Sequence, residues 1–105
     1  MTPPSNSTPE SLLEERLKTF VRDHCKGVTI KLPAAWYIGI PDRLVLLPGG
    51  RAIFVELKAD KGKASPAQLA WIRRLSGLGF STRLVIGNEG LQALFKEMKG
   101  GRDFL

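Results

Sequence analysis

The segment Arg51-Ala52-Ile53-Phe54-Val55-Glu56-Leu57-Lys58-Ala59 constrains the fold of this chain more than any other. Its alternation predicts a β-strand, with Ala52, Phe54, Glu56 and Lys58 on one face and Ile53, Val55 and Leu57 on the other. Apolar residues on both faces predict a central strand covered on both sides by helices. That requirement points to a layered α/β fold.

The flanking sequence supplies the other layers. Thr8 and Pro9 read as the cap and first residue of a helix ending near Gly27, whose apolar face is Leu13, Leu17, Phe20, Val21 and His24. His24 has no nucleophile or ligand partner in the sequence and reads as structural. Val28 to Leu32 suits a first strand and Asp42 to Leu47 a second, joined to Arg51–Ala59 through Pro48-Gly49-Gly50. Ser65-Pro66-Ala67-Gln68 opens a helix as a capping box, with Leu69, Trp71, Ile72 and Leu75 as its inner stripe and Gly77 and Gly79 as its stop. A last strand, Thr82–Ile86, and a last helix, Glu89–Met98, give the order α-β-β-β-α-β-α. The expected architecture is a mixed central sheet flanked by helices in one domain over residues 9–99. Residues 1–8, polar and proline-rich, and residues 100–105 read as tails.

The hairpin decides the chemistry. If Pro48, Gly49 and Gly50 form a three-residue loop, Leu47 opposes Arg51 and Asp42 falls opposite Glu56 on one face, with the two Cβ atoms about 5 Å apart. A two-residue turn would send Asp42 to the other face unless a bulge corrected the register, so the chemistry predicts the longer loop or a bulge. Two ionised carboxylates that close call for a hard divalent cation such as Mg²⁺ or Mn²⁺, with the Leu57 backbone carbonyl as a further oxygen ligand. Lys58 beside them can orient a water or offset charge on a phosphate. A solvated cross-strand salt-bridge cluster would need the same residue types, and a Pro-Asp, hairpin, Glu-x-Lys pattern arises by chance in about 2% of chains this size. Context therefore has to separate the two readings: here the trio follows a helix, spans a hairpin and precedes a helix that opens with a glutamine.

From Gly39 to about Gly87 the chain resembles the VRR-NUC family of virus-type replication and repair nucleases, a branch of the PD-(D/E)xK superfamily. Gly39-Ile40-Pro41-Asp42, a hairpin, Glu56-Leu57-Lys58 and Ser65-Pro66-Ala67-Gln68 occur in the family's order. The resemblance implies a restriction-endonuclease-like core. It also implies Asp42 and Glu56 as metal ligands, a catalytic Lys58, and Gln68 near the site, where the capping box alone would also explain that residue. A first-helix glutamate belongs to the family site. Glu10, Glu14 and Glu15 compete for the role, and Glu14 is chosen because it lies at the edge of the apolar face, whereas Glu15 falls nearly opposite Leu13. The implied activity is hydrolysis of DNA phosphodiesters, with branched DNA such as a four-way junction cut by a homodimer. Flap or restriction-type cleavage is the runner-up, and a non-catalytic nucleic-acid-binding module on the same fold is the rival class.

Sixteen Lys and Arg against ten Asp and Glu give a formal charge of +6, which suits a polyanionic partner. Lys61 and Lys63, at the exit of the Glu-x-Lys strand, are the expected phosphate contacts. Arg73 and Arg74 read equally well as outward helix charge. Trp36 and Tyr37 are expected as core or dimer contacts, base stacking being the other use of such aromatics. A single cysteine, Cys25, excludes an internal disulfide, and no Cys/His cluster has zinc-site spacing. With no signal-peptide pattern and no membrane-length apolar run, the expected setting is intracellular, cytoplasmic, in a bacterial or phage-encoded protein.

Overall fold

The computed structural model describes residues 8–33 and 35–99. The elements are α1 (Glu10–His24), β1 (Val28–Lys31), β2 (Arg43–Leu47), β3 (Arg51–Lys58), α2 (Pro66–Gly77), β4 (Ser81–Ile86) and α3 (Gly87–Lys99). The expected order holds. Of the tails expected at 1–8 and 100–105, all but Thr8 lie outside the described residues.

The four strands form one mixed sheet in the order β1-β2-β3-β4. β1, β2 and β3 run antiparallel to their neighbours, and β4 joins β3 in parallel through α2, as a strand–helix–strand crossover requires. In the hairpin Leu47 pairs with Arg51 and Arg43 with Val55, which is the three-residue-loop register. Gly49 at φ 85° and Gly50 at φ 76° supply the left-handed residues that this loop needs.

One face of the sheet is dry. Leu13, Leu17 and Val21 from α1 and Leu91, Leu94 and Met98 from α3 bury Val45, Ile53, Val55, Leu57 and Val85 in one cluster. The spacing 13, 17, 21 and 91, 94, 98 is the i, i+3/i+4 stripe of an amphipathic helix, and it packs on alternate residues of each strand. Phe20 and Phe95 stack at 4.0 Å on the outer side of that layer. His24, expected on the apolar stripe, is exposed and stacks on Phe20 at 4.8 Å.

The other face departs from expectation. Among the described residues α2 is the one helix that covers it, near β3 and β4, and within α2 Leu75 is fully buried while Leu69, Trp71 and Ile72 are half-buried. Val28 and Ile30 of β1 and Leu46 of β2 stay exposed on the uncovered part. β3 is interior in the sheet, as expected, yet helices cover one of its faces fully and the other in part. One crossover helix of 12 residues is about 18 Å long and cannot span four twisted strands.

Three local expectations also change. The N-cap of α1 is Pro9 rather than Thr8, with no side-chain cap bond. The chain leaves α1 through Lys26 in the left-handed region, φ 58°, while Gly27 N–H reaches back to the Val21 carbonyl. Gly27 is required for a different reason, because a Cβ there would meet the Leu46 carbonyl oxygen at 2.3 Å. Trp36 and Tyr37 are exposed and form no part of the core.

Candidate active site

The site lies where β2 begins and β3 ends, on the face that α2 partly covers. Pro41 is fully buried and fixes the chain just before Asp42. β2 begins at Arg43 opposite Val55, so the register carried one residue back sets Asp42 opposite Glu56. Beyond the end of β2, the Leu57 N–H has no ladder partner there and donates instead to Asp42 Oδ1 at 3.2 Å. In a strand the carbonyl of a residue shares the edge of its N–H, so the Leu57 carbonyl faces the same side as Asp42.

Glu56 is the buried charge among the described residues, 4% exposed. Its Oε2 accepts from Gln68 Nε2 at 3.1 Å and lies 3.6 Å from Lys58 Nζ. Its buried Oε1 has no hydrogen-bond partner. Burial, and then the Asp42 carboxylate, push Glu56 up to about 7, against the pull of Lys58. Asp42 is raised as well, first by burial, with Glu10 and Glu14 adding to it, while the Leu57 N–H and Arg43 oppose the shift. Two adjacent carboxyls that both resist ionisation mark a place short of positive charge.

Gln68 is held at both ends of its amide. Its Oε1 accepts from the Ser65 N–H at 2.8 Å, and its own backbone N–H donates to Ser65 Oγ at 3.1 Å, so the capping box is complete. The side-chain NH₂ is then left to point at Glu56. The capping and the site roles therefore coexist in one residue.

Glu14 is half-buried at the neighbouring edge, hydrogen-bonded to Arg43, with Lys31 Nζ at 4.0 Å. Glu15 is exposed. Arg43 also belongs to the site, although the sequence gives little sign of it. Its only signal is a cation placed directly after the Pro-Asp pair at the head of an otherwise apolar strand. Glu10, too, is close enough to act on Asp42. Lys61, at φ 65°, and Lys63 are exposed on the turn after β3, where Gly62 N–H donates to the Ala59 carbonyl.

Among the described residues no three His, Cys, Asp or Glu side chains converge on one point. The donor set still fits a hard divalent cation: two carboxylates, a backbone carbonyl on the same edge, and a buried carboxylate oxygen without a partner. An all-oxygen set of this kind disfavours zinc or copper.

Residues 4–89 match the VRR-NUC domain family. A protein of Acyrthosiphon pisum secondary endosymbiont phage 1 named "Putative nuclease p44" is 38% identical over 85 residues, covering 81% of this chain and 89% of that one. A solved structure described as a VRR_NUC domain superposes with TM-score 0.65 at 30% identity, covering 80% of this chain and 95% of the other. A second, a VRR_NUC domain protein, reaches TM-score 0.71 at 21% identity over 90% and 92% of the two chains and supports the fold. With its mixed sheet, its restriction-endonuclease-like order of elements and the match over most of its length, the chain belongs to the VRR-NUC domain family.

Proposed function

We propose that this protein is a divalent-metal-dependent DNA endonuclease, selective for DNA structure rather than base sequence. One observation carries the reading: Asp42 and Glu56 face each other across the β2–β3 edge, with Lys58 and Gln68 on the buried carboxylate and one of its oxygens unpartnered. A cross-strand salt-bridge cluster on a solvated face, the alternative use of these residue types, would leave Glu56 exposed and fully paired.

Asp42, Glu56 and the Leu57 carbonyl are the residues that would hold Mg²⁺ or Mn²⁺, which when bound supplies charge neutralisation on a phosphate and acidifies a coordinated water. Gln68 fixes the Glu56 carboxylate through Oε2 and leaves Oε1 for a ligand. Lys58 is close enough to Glu56 to share its charge. Its ammonium is the group that can orient an attacking water or offset the extra negative charge on phosphorus as the phosphodiester is attacked. Arg43 holds Glu14 beside Asp42, so Glu14 is assigned a supporting role at the site edge. Lys61 and Lys63 are assigned to the phosphate backbone leaving the site.

The proposed substrate is branched DNA, a four-way junction first and a flap second, cut by a homodimer. Support for a second copy comes from the exposed row Val28, Ile30 and Leu46 on the part of the sheet that α2 leaves uncovered. The test is cleavage of labelled junction, flap and linear duplex in Mn²⁺, Mg²⁺ or EDTA. Metal-dependent nicks that disappear in Glu56→Gln and Lys58→Ala while DNA binding persists support the reading; binding without cleavage in any metal overturns it.

A further inference from the structure

Between β1 and β2 the chain approaches Asp42 through three consecutive large side chains held in water: Trp36 is 83% exposed, Tyr37 59% and Ile38 81%. Isolated apolar residues on a surface are ordinary, whereas three in a row beside a buried acidic pair form a patch that needs an occupant.

The backbone that presents them is pinned. Ile40 N–H donates to the Tyr37 carbonyl at 3.1 Å. Gly39, at φ +92°, lies so close to α2 that a Cβ would meet the Ala67 backbone at 2.7 Å. The Tyr37 ring meets Trp71 of α2 edge-on at 5.9 Å, and the Arg74 guanidinium sits 5.5 Å from the Trp71 ring. Tyr37 is thus the anchor, and Trp36 and Ile38 on either side of it project from a fixed support.

Its position ties the loop to the chemistry. Gly39 packs on Ala67, the residue before Gln68, and Gln68 holds Glu56. Ile38 is four residues before Asp42, so their Cα atoms are at most about 14 Å apart. That is a few nucleotides along a strand. A flat indole, a neighbouring apolar side chain and an adjacent guanidinium are the groups that receive an unstacked base and its phosphate. Arg74 beside the loop, on a chain of formal charge +6, favours a polyanion as the occupant.

We infer that Trp36 and Ile38 form a stacking platform for a nucleobase beside the scissile phosphate that a branch point or a single strand leaves free to unstack, so that this loop selects such DNA over continuous duplex. The inference rests on the nuclease reading of the adjacent site, and its test separates the two.

The chain has two tryptophans, so Trp36→Ala leaves Trp71 as an internal reference. The full chain carrying Glu56→Gln is titrated, without metal, with a four-way junction, a single-stranded oligonucleotide and a linear duplex of equal charge, and tryptophan emission is followed. Expected is quenching by the junction and the single strand but not by the duplex, abolished in Trp36→Ala. Affinity for the open substrates should fall about tenfold in that variant and in Ile38→Ala by less, with duplex affinity unchanged and Trp36→Phe close to the parent. Equal weakening on all three DNAs, quenching that survives Trp36→Ala, or a change in molecular mass on size exclusion caused by Trp36→Ala would each overturn the inference. If the parent chain cleaves and no open-substrate quenching occurs, the platform fails alone. If quenching occurs and no DNA is cut in any metal, the nuclease reading fails and the platform stands.

Discussion

The two faces of the sheet are made from the same four strands and do opposite work. On the α1/α3 side Ile53, Val55 and Leu57 of β3 are shielded from water, and the helices contribute matching stripes at 13, 17, 21 and 91, 94, 98. On the α2 side the inward residues of β3 run from Phe54 to Glu56 to Lys58, and α2 buries one leucine. Stability is concentrated on the first face, and the second is left polar and open. A domain this size has little stability to spare, so one face must be packed tightly if the other is to hold charges.

The largest effect that could break this contrast is on chemistry. Glu56→Gln should lower metal-dependent cleavage by at least about a hundredfold, measured under single-turnover conditions, since it removes the negative charge of the carboxylate proposed to hold the metal. Full activity in that variant would detach the open face from function.

Next in size is packing. Leu17→Ala should cost about 3 kcal/mol in urea unfolding, whereas Leu46→Ala on the exposed part of the other face should cost under about 1 kcal/mol. Equal costs at the two positions would mean that the second face is covered in solution, which is what a second copy would do, and repeating the pair at several protein concentrations would then reveal it.

The buried carboxyl gives the open face a pH signature. In the folded, metal-free protein Glu56 is raised to about 7 from an ordinary 4.5, so the native state binds the extra proton between those values. Stability of the metal-free protein should therefore fall as pH rises from about 4.5 to 7, by up to about 3 kcal/mol, and be flat in this respect below and above the window. Glu56→Gln should flatten the slope, and Mg²⁺ should remove it by favouring the ionised form. A slope of the opposite sign would contradict a desolvated acid here.

The smallest expected changes are at the rim. Lys61→Ala and Lys63→Ala should each weaken DNA binding a few-fold, equally across DNA structures, and make the slope of log K against log salt shallower by about 0.9 for each phosphate no longer neutralised. Weakening on junctions alone would assign these lysines a shape-reading role.

Much of this is legible from local rules. Pro48-Gly49-Gly50 marks the hairpin, although the sequence allows a two- or a three-residue loop; the three-residue register observed is the one that sets Asp42 against Glu56. Ser65 and Gln68 mark the start of α2 at the position observed. What local rules miss is tertiary. Glu14 finds Arg43 across 29 positions, and no helical spacing encodes that meeting. Thr8 has the composition of a cap, but the helix begins one residue later, after Pro9. Trp36 and Tyr37 look like core residues by type; only the docking of Gly39 on Ala67 shows that the chain turns them outward.

Gln68 bonds the Ser65 backbone with one end of its amide and Glu56 with the other. The first turn of α2 and the acidic centre are consequently a single mechanical joint: whenever that turn frays, the carboxylate loses its brace. Amide exchange at Gln68 and Leu69 would then report how often the resting protein lets go of that brace.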